Sequence, residues 1–184
     1  MLGPSDHYCS GIIIADDARF RSIHTPAPEP GDLGWLDDIL AVFARVFDDI
    51  VLVTGNPATY MMAYDGLIVS DHHAPCSLWS GIQAGLFTAR HAHAFVTVGG
   101  QPVSEKMVRL FLDAVAPRYD AVLTAGVNGP LSVPGVYAKN CLKPLGRQLS
   151  QGERQKDRWL HQIRVHTLAQ ETLRTCDPLW QPFQ

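Results

Sequence analysis

Three short stretches of this 184-residue chain carry the side chains most able to do chemistry. The first, Asp16-Asp17-Ala18-Arg19, sets two adjacent carboxylates directly after an apolar run. The second, Ser70-Asp71-His72-His73-Ala74-Pro75-Cys76, gathers a carboxylate, two imidazoles and a thiol. His72, His73 and Cys76 suit a borderline metal, yet a complete zinc site needs further ligands, and solvated loop residues are the plainer reading. A nucleophile built from Cys76 with either histidine lacks an evident third residue to orient it. The third, Gly99-Gly100-Gln101-Pro102, has no carboxylate at all. The chain has no Walker A loop, no G-x-G-x-x-G, no G-x-S-x-G elbow and no H-E-x-x-H.

The elements that must position these stretches alternate between strand and helix. Ile12–Ala15 reads as a first strand, followed by a segment with Pro26, Pro28 and Pro30 that cannot be helix interior. Leu36, Ile39, Leu40, Phe43 and Val46 then recur at helical spacing. Strands are predicted at 50–54, 67–69 and 94–98, with helices at 58–63, 78–90 and 104–115, the last started by Ser104 as N-cap. Runs 121–124 and 131–137 flank the turn pair Asn128-Gly129 and predict a hairpin-like return. Basic, helical segments at 139–149 and 153–161 precede a last strand within 163–168. Such alternation predicts one α/β domain over residues 1–184, a three-layer α/β/α sandwich about a mostly parallel sheet. Ligands of these sheets bind at the carboxyl ends of the strands, where all three stretches fall.

Composition sets the outer bounds. With 46% hydrophobic and 18% charged residues the chain has the makings of a packed globular domain. No apolar run nears the roughly 18–20 residues that span a bilayer, so no membrane is expected as a partner. The N-terminus lacks a basic segment followed by an apolar core, so a cytoplasmic location is expected. The four cysteines include no C-x-x-C pair and are expected to be reduced. The net charge of −3 divides into −8 over residues 1–75 and +5 over 76–184. Lys139, Lys143, Arg147, Arg154, Lys156 and Arg158 supply most of that excess, either as a solvated face or as a surface for an anionic ligand or acidic partner. With no whole-domain basic excess, nucleic acid is not expected as a partner. Met61, Met62 and Met107 read as core filler, and His91 with His93 as a solvated or satisfied pair.

In their order, these strand ends and the helix between them resemble those of molybdenum cofactor guanylyltransferase, the nucleotidyltransferase family that joins GMP to molybdopterin. Gly66-Leu67-Ile68-Val69-Ser70-Asp71 fits the family's valine-serine-aspartate strand end, and Gly81-Ile82-Gln83-Ala84-Gly85-Leu86 its helix start. Ile14-Ala15-Asp16-Asp17 stands where the family has leucine-alanine-glycine-glycine. Asn56, Pro130-Leu131 with Val136-Tyr137, and Gly152-Glu153-Arg154 with Trp159-Leu160 match further landmarks. The resemblance implies a Rossmann-like, glycosyltransferase-A-type nucleotidyltransferase domain. It implies nucleotide contacts at Ala15, Asp16, Asp17, Asp71 and Gly81; where magnesium is the cofactor, Asp71 and Asp16 are the candidate ligands. Asp71 also has the plainer reading of a strand-end residue capping the next turn.

The departures fall on the chemistry. The family's glycine pair lets backbone N–H groups approach a triphosphate, whereas Asp16 and Asp17 would repel it. A carboxylate about 5 Å from a phosphate charge costs roughly 3 kcal/mol at an effective dielectric near 20. The family lysine after that loop is missing, and the magnesium-binding aspartate of its cysteine-aspartate-x-proline strand end falls on Gly100. Thr175-Cys176-Asp177-Pro178 poorly replaces its C-terminal asparagine-x-asparagine-threonine-proline motif. Phosphoryl and nucleotidyl transfer rest on positioning and charge neutralisation, so these losses remove much of the machinery. Two expectations follow. One is a catalytically impaired relative that binds molybdopterin cofactor, guanine nucleotide or a molybdenum-cofactor maturation protein. The other is an active enzyme whose metal site is rebuilt from Asp16, Asp17 and Asp71.

Overall fold

The computed structural model describes residues 9–15, 33–71, 77–152, 158–178 and 180. Its strands are β1 (Cys9–Ile14), β2 (Ile50–Thr54), β3 (Leu67–Ser70), β4 (His93–Val98), β5 (Ala121–Gly126), β6 (Gly129–Ala138) and β7 (Val165–Leu168). Its helices are α1 (Gly34–Phe43), α2 (Pro57–Tyr60), α3 (Leu78–Thr88), α4 (Glu105–Asp113), α5 (Leu142–Ser150) and α6 (Gln170–Cys176). Short 3-10 turns cover Lys139–Cys141 and Arg158–Gln162. The predicted hairpin is formed by β5 and β6 with Val127-Asn128 as its turn, and Gly129 opens β6 with a positive φ of 125° that glycine readily adopts. Ser104 caps α4 by accepting from the Met107 N–H at 3.3 Å. Helix α6 is the one described helix of which the apolar pattern gave no sign.

The strands form one seven-stranded sheet in the order β3-β2-β1-β4-β6-β5-β7. Only β6 runs antiparallel to its neighbours. Alternate residues of the central strands face opposite layers, as the two-residue period of a strand dictates. Ile13, Leu52 and Phe95 pack with Leu36 and Phe43 of α1 and Phe111 of α4. Ile12, Ile14, Val51, Val53 and Val96 pack with Ile82 and Leu86 of α3 and Leu145 of α5. The sheet is therefore covered on both faces, in the three-layer arrangement the alternation predicts. Met107 is fully buried, but Met61 and Met62 are 68% and 96% exposed. Helix α2 is a single turn whose one buried residue is Tyr60, so the methionines after it have no core to fill.

The amino-terminal edge of the sheet holds two polar latches. Asp48 accepts from Arg90 at 2.6 Å and pairs with the His91 ring at 2.7 Å, which makes His91 a satisfied histidine. Buried Asp120 takes both arms of the Arg164 guanidinium at 2.9 and 3.0 Å, the Arg164 backbone N–H at 3.0 Å and the Asn140 amide at 2.9 Å. Cys9, Cys141 and Cys176 are free thiols, and burial pushes the first two up to about 12, which keeps them protonated and inert at neutral pH.

Candidate functional site

Parallel pairing of β3, β2, β1 and β4 brings their carboxyl ends to one rim. Ile14 is level with Val53 on one side and Val98 on the other, and Val53 is level with Val69. The ladder continues one step past β1: Ala15 N–H donates to the Val53 carbonyl at 2.8 Å, and Gly99 N–H to the Ile14 carbonyl at 2.9 Å. Ala15, Gly55, Asp71 and Gly99-Gly100 thus follow four adjacent strand ends on the same rim. Asp16 and Asp17 lie outside the described residues, as do His72, His73 and Cys76.

A shallow cleft with no enclosed volume lies on this rim between the strand ends and the start of α3. Ile14, Val53, Thr54, Gly55, Asp71, Ser77 and Gly81 line it. Two of the residues singled out in the sequence, Asp71 and Gly81, are among them, and Ala15 follows Ile14 directly. Gly81 and Gly85 let α3 lie close on β1. A Cβ at Gly81 would stand 3.2 Å from the Ile14 side chain, and one at Gly85 only 2.6 Å from Ile12 Cγ2. This close seat brings the first turn of α3 up to the cleft.

That first turn is held by serines the resemblance did not point to. Ser77 Oγ accepts from the Ser80 N–H at 3.1 Å, while Ser80 Oγ accepts from the Ser77 N–H at 2.7 Å. This is a capping box in which serine replaces the usual Glu or Gln, and Ser77-Leu78-Trp79-Ser80 carried the signal for it. Ser80 Oγ also donates to Asp71 Oδ2, in a short hydrogen bond between residues nine apart. On the far side of the cleft Thr54 Oγ1 accepts from the Asn56 N–H at 3.1 Å, closing the turn after β2. Asp71 is thus both a cleft residue and a partner of the helix cap.

The end of β4 is built differently. Gln101 N–H donates to the Val98 carbonyl at 3.3 Å, which closes a four-residue turn, and Gly100 sits in it with φ 78°. The third position of such a turn needs the left-handed region that glycine enters at no steric cost. A Cβ at Gly99 would stand 2.9 Å from the Trp35 indole, so this glycine makes room for a ring from α1. Both amide atoms of Gln101 are buried, and neither has a hydrogen-bond partner among the described residues. Removing such an amide while keeping the chain length removes a desolvation penalty. Gln101→Met is expected to raise the unfolding free energy by about 1 kcal/mol. A denaturant series in which this variant unfolds earlier than the parent would contradict that account.

The basic residues do not gather at this rim as one group. Lys139 follows β6, the antiparallel strand, and its N–H donates to the Ala92 carbonyl just before β4, which places it at the opposite edge. Lys143 and Arg147 lie one turn apart on the exposed side of α5, and Arg158 is exposed beside buried Trp159. Arg154 and Lys156 lie outside the described residues. No described helix is long and apolar enough to cross a membrane.

Comparison with known proteins agrees with the geometry. The family model described as "MobA-like NTP transferase domain" matches residues 31–171. Molybdenum cofactor guanylyltransferase of Desulfosudis oleivorans is 26% identical over 172 residues, 92% of this chain and 85% of that protein. The crystal structure of molybdopterin-guanine dinucleotide biosynthesis protein A from Archaeoglobus fulgidus superposes with a TM-score of 0.71 at 19% identity, over 91% of this chain and 87% of that one. Rv0371c of Mycobacterium tuberculosis, crystallised in complex with manganese, superposes with a TM-score of 0.56 at 22% identity, over 88% and 87%. A divalent ion of that kind is not matched by the donors described here. Among the described residues no three His, Cys, Asp or Glu side chains come together to hold a metal. Among the described residues the rim offers the carboxylate of Asp71, with one oxygen already bonded to Ser80.

Proposed function

This chain belongs to the MobA-like NTP transferase domain family, and on that footing we propose that it is a divergent molybdenum-cofactor guanylyltransferase-like protein impaired in transfer. It serves molybdenum-cofactor maturation by binding guanine nucleotide, molybdopterin cofactor or a maturation protein at the carboxyl rim of its sheet. The observation that carries this reading is the end of β4. There the turn Val98-Gly99-Gly100-Gln101 holds Gly100 at φ 78° where the resembled family has its magnesium-binding aspartate. Nucleotidyl transfer needs the charge of a triphosphate neutralised as the α-phosphorus is attacked. A neutral strand end withdraws one of the groups that would hold the neutralising ion, and Asp16 with Asp17 adds negative charge to the neighbouring loop.

Calorimetric titration with GTP, CTP and molybdopterin, each with and without magnesium, tests the proposal. The expected result is a weak GTP isotherm, little changed by magnesium, and no GMP transfer in the matching assay. Micromolar affinity for magnesium-GTP would overturn it. The reading in its place would be an active nucleotidyltransferase whose metal site is rebuilt from Asp16, Asp17 and Asp71. Asp16→Gly together with Asp17→Gly would then weaken metal binding.

A further inference from the structure

The layer formed by α3 and α5 presents charge of one sign. Helix α3 has no Lys, Arg, Asp or Glu, while α5 and its flanking 3-10 turns carry Lys139, Lys143, Arg147 and Arg158 but no carboxylate. The opposite layer interleaves both signs, and there Glu105 holds Arg109 at 3.0 Å. Arg90 and Arg164 likewise hold Asp48 and Asp120. Among the described residues Lys139, Lys143 and Arg147 form no such pair. Asp120, which bonds Asn140 beside Lys139, is already taken by Arg164. Like charges left unpaired on one surface repel, so this face is not neutralised within the chain. An exposed aromatic lies beside them. A Cβ on Gly146 of α5 would stand 2.9 Å from Gln83 Nε2 of α3, which puts the two helices in contact there. They run antiparallel, since α3 starts at the carboxyl rim and α5 at the opposite edge. Phe87, one turn past Gln83, therefore falls level with Lys143, about one turn before Gly146. Phe87 is 76% exposed, while Ile82, Gly85 and Leu86 of the same helix are buried.

We propose that the outer face of α3 and α5 docks an acidic protein, whose carboxylates meet Lys143 and Arg147 around an apolar pocket for Phe87. The inference does not rest on nucleotide binding at the cleft. An aromatic anchor ringed by cations is the composition of a protein interface, where the ring is desolvated and the rim charges set orientation. Other anionic partners fit less well. Three cations raise partition onto an anionic bilayer only on the order of a hundredfold, which is weak for a whole domain. As few phosphate contacts give nucleic acid no firm hold, and neither surface has a pocket for a single ring. A second copy would have to offer Asp37 and Asp38 from α1, which lie in the opposite layer. Copies joined that way would stack head to tail without closing.

The test uses the full chain, isotope-labelled, and a glutamate–tyrosine copolymer as the acidic, partly apolar probe. Polyglutamate is the purely ionic control. Amide shifts on adding the copolymer at low salt are expected to cluster at residues 83–90 and 139–150. Lys143→Glu together with Arg147→Glu is expected to weaken copolymer binding about tenfold, because two attractions become two repulsions. Lys143→Gln with Arg147→Gln should weaken it less. Phe87→Ala is expected to cost about fivefold with the copolymer and less than about twofold with polyglutamate, which has no apolar group to meet the ring. All three sites are exposed, so the variants are expected to melt with the parent. Shifts that cluster elsewhere overturn the proposal, as does a reversed pair that binds like the parent or a Phe87→Ala variant that binds the copolymer unchanged. Tighter binding to phosphatidylserine–phosphatidylcholine vesicles or to duplex DNA than to the copolymer would also overturn it. So would self-association of the parent at low salt that the reversed pair abolishes, since that result assigns the face to a second copy.

Discussion

Asp120→Ala is expected to lower the unfolding free energy by about 3 kcal/mol, since a hydrogen bond to a charged group contributes about 1.5–3 kcal/mol and this carboxylate accepts four. Those donors come from the turn after β6 and from the segment entering β7, so a single side chain joins three strands at the amino-terminal edge. The guanidinium can return to water after the mutation, which keeps the loss below the sum of the bonds. The same latch makes a pH prediction. Hydrogen bonds from Arg164 hold the Asp120 carboxyl well below the usual carboxylate range. A group whose folded pKa is depressed contributes stability above its unfolded pKa, about 3.9, and loses it as pH falls further. The contribution is therefore full above about pH 5 and shrinks progressively below about pH 4. Parent and variant denaturation curves measured from pH 7 to pH 3 are expected to converge on the acid side. A constant gap across that range would show that the carboxylate charge is not what the latch uses.

Gly85→Leu is expected to cost 3 kcal/mol or more, the upper range for forcing extra atoms into a packed core. Its Cβ would fall 2.6 Å from Ile12 Cγ2 and 3.1 Å from Val53, both fully or nearly fully buried, so neither can step aside. The helix gains from losing a glycine, but only by about 1 kcal/mol. Gly81 supplies the contrast: its Cβ would meet Cδ1 and Cγ2 of Ile14 at 3.2 Å, a tight contact but not the overlap found at Gly85. Gly81→Ala is therefore expected to be near neutral, with the helix preference offsetting a small adjustment. Guanidinium unfolding of both variants decides this, and equal costs at the two glycines would refute it. Pushing α3 off β1 would also carry Ser77 and Ser80 away from the cleft.

Local sequence features were enough to mark most of the elements. The short apolar runs Ile12–Ile14 and Val51–Val53 and the helical spacing of Leu36, Ile39 and Phe43 depend on neighbours in the chain. They translated into strands and a helix with ends displaced by only a few residues. Asn128-Gly129 gave the β5–β6 hairpin for the same reason. Helix α6 escaped because only Leu173 of its seven residues is buried, too few for a stripe. Met61 and Met62 misled because residue type speaks of average burial, and a one-turn helix offers no core for its tail.

The site divides along the same line. The resemblance singled out Asp71 and Gly81 in the sequence, and both line the cleft. The missing carboxylate at Gly100 was equally legible, being a matter of residue identity. Only the tertiary structure decided that Gly100 is required by its own turn, with φ 78°, and that Gly99 makes room for Trp35. Only it tied Asp71 to Ser80, and only it put Lys139 on the far edge of the sheet from the cleft. The physical reason is that periodicity and turn chemistry act over a few residues, whereas the partner of a carboxylate or the edge reached by a strand depends on which strands pair. The order β3-β2-β1-β4-β6-β5-β7 brings together ends that lie tens of residues apart, and no local pattern encodes that order.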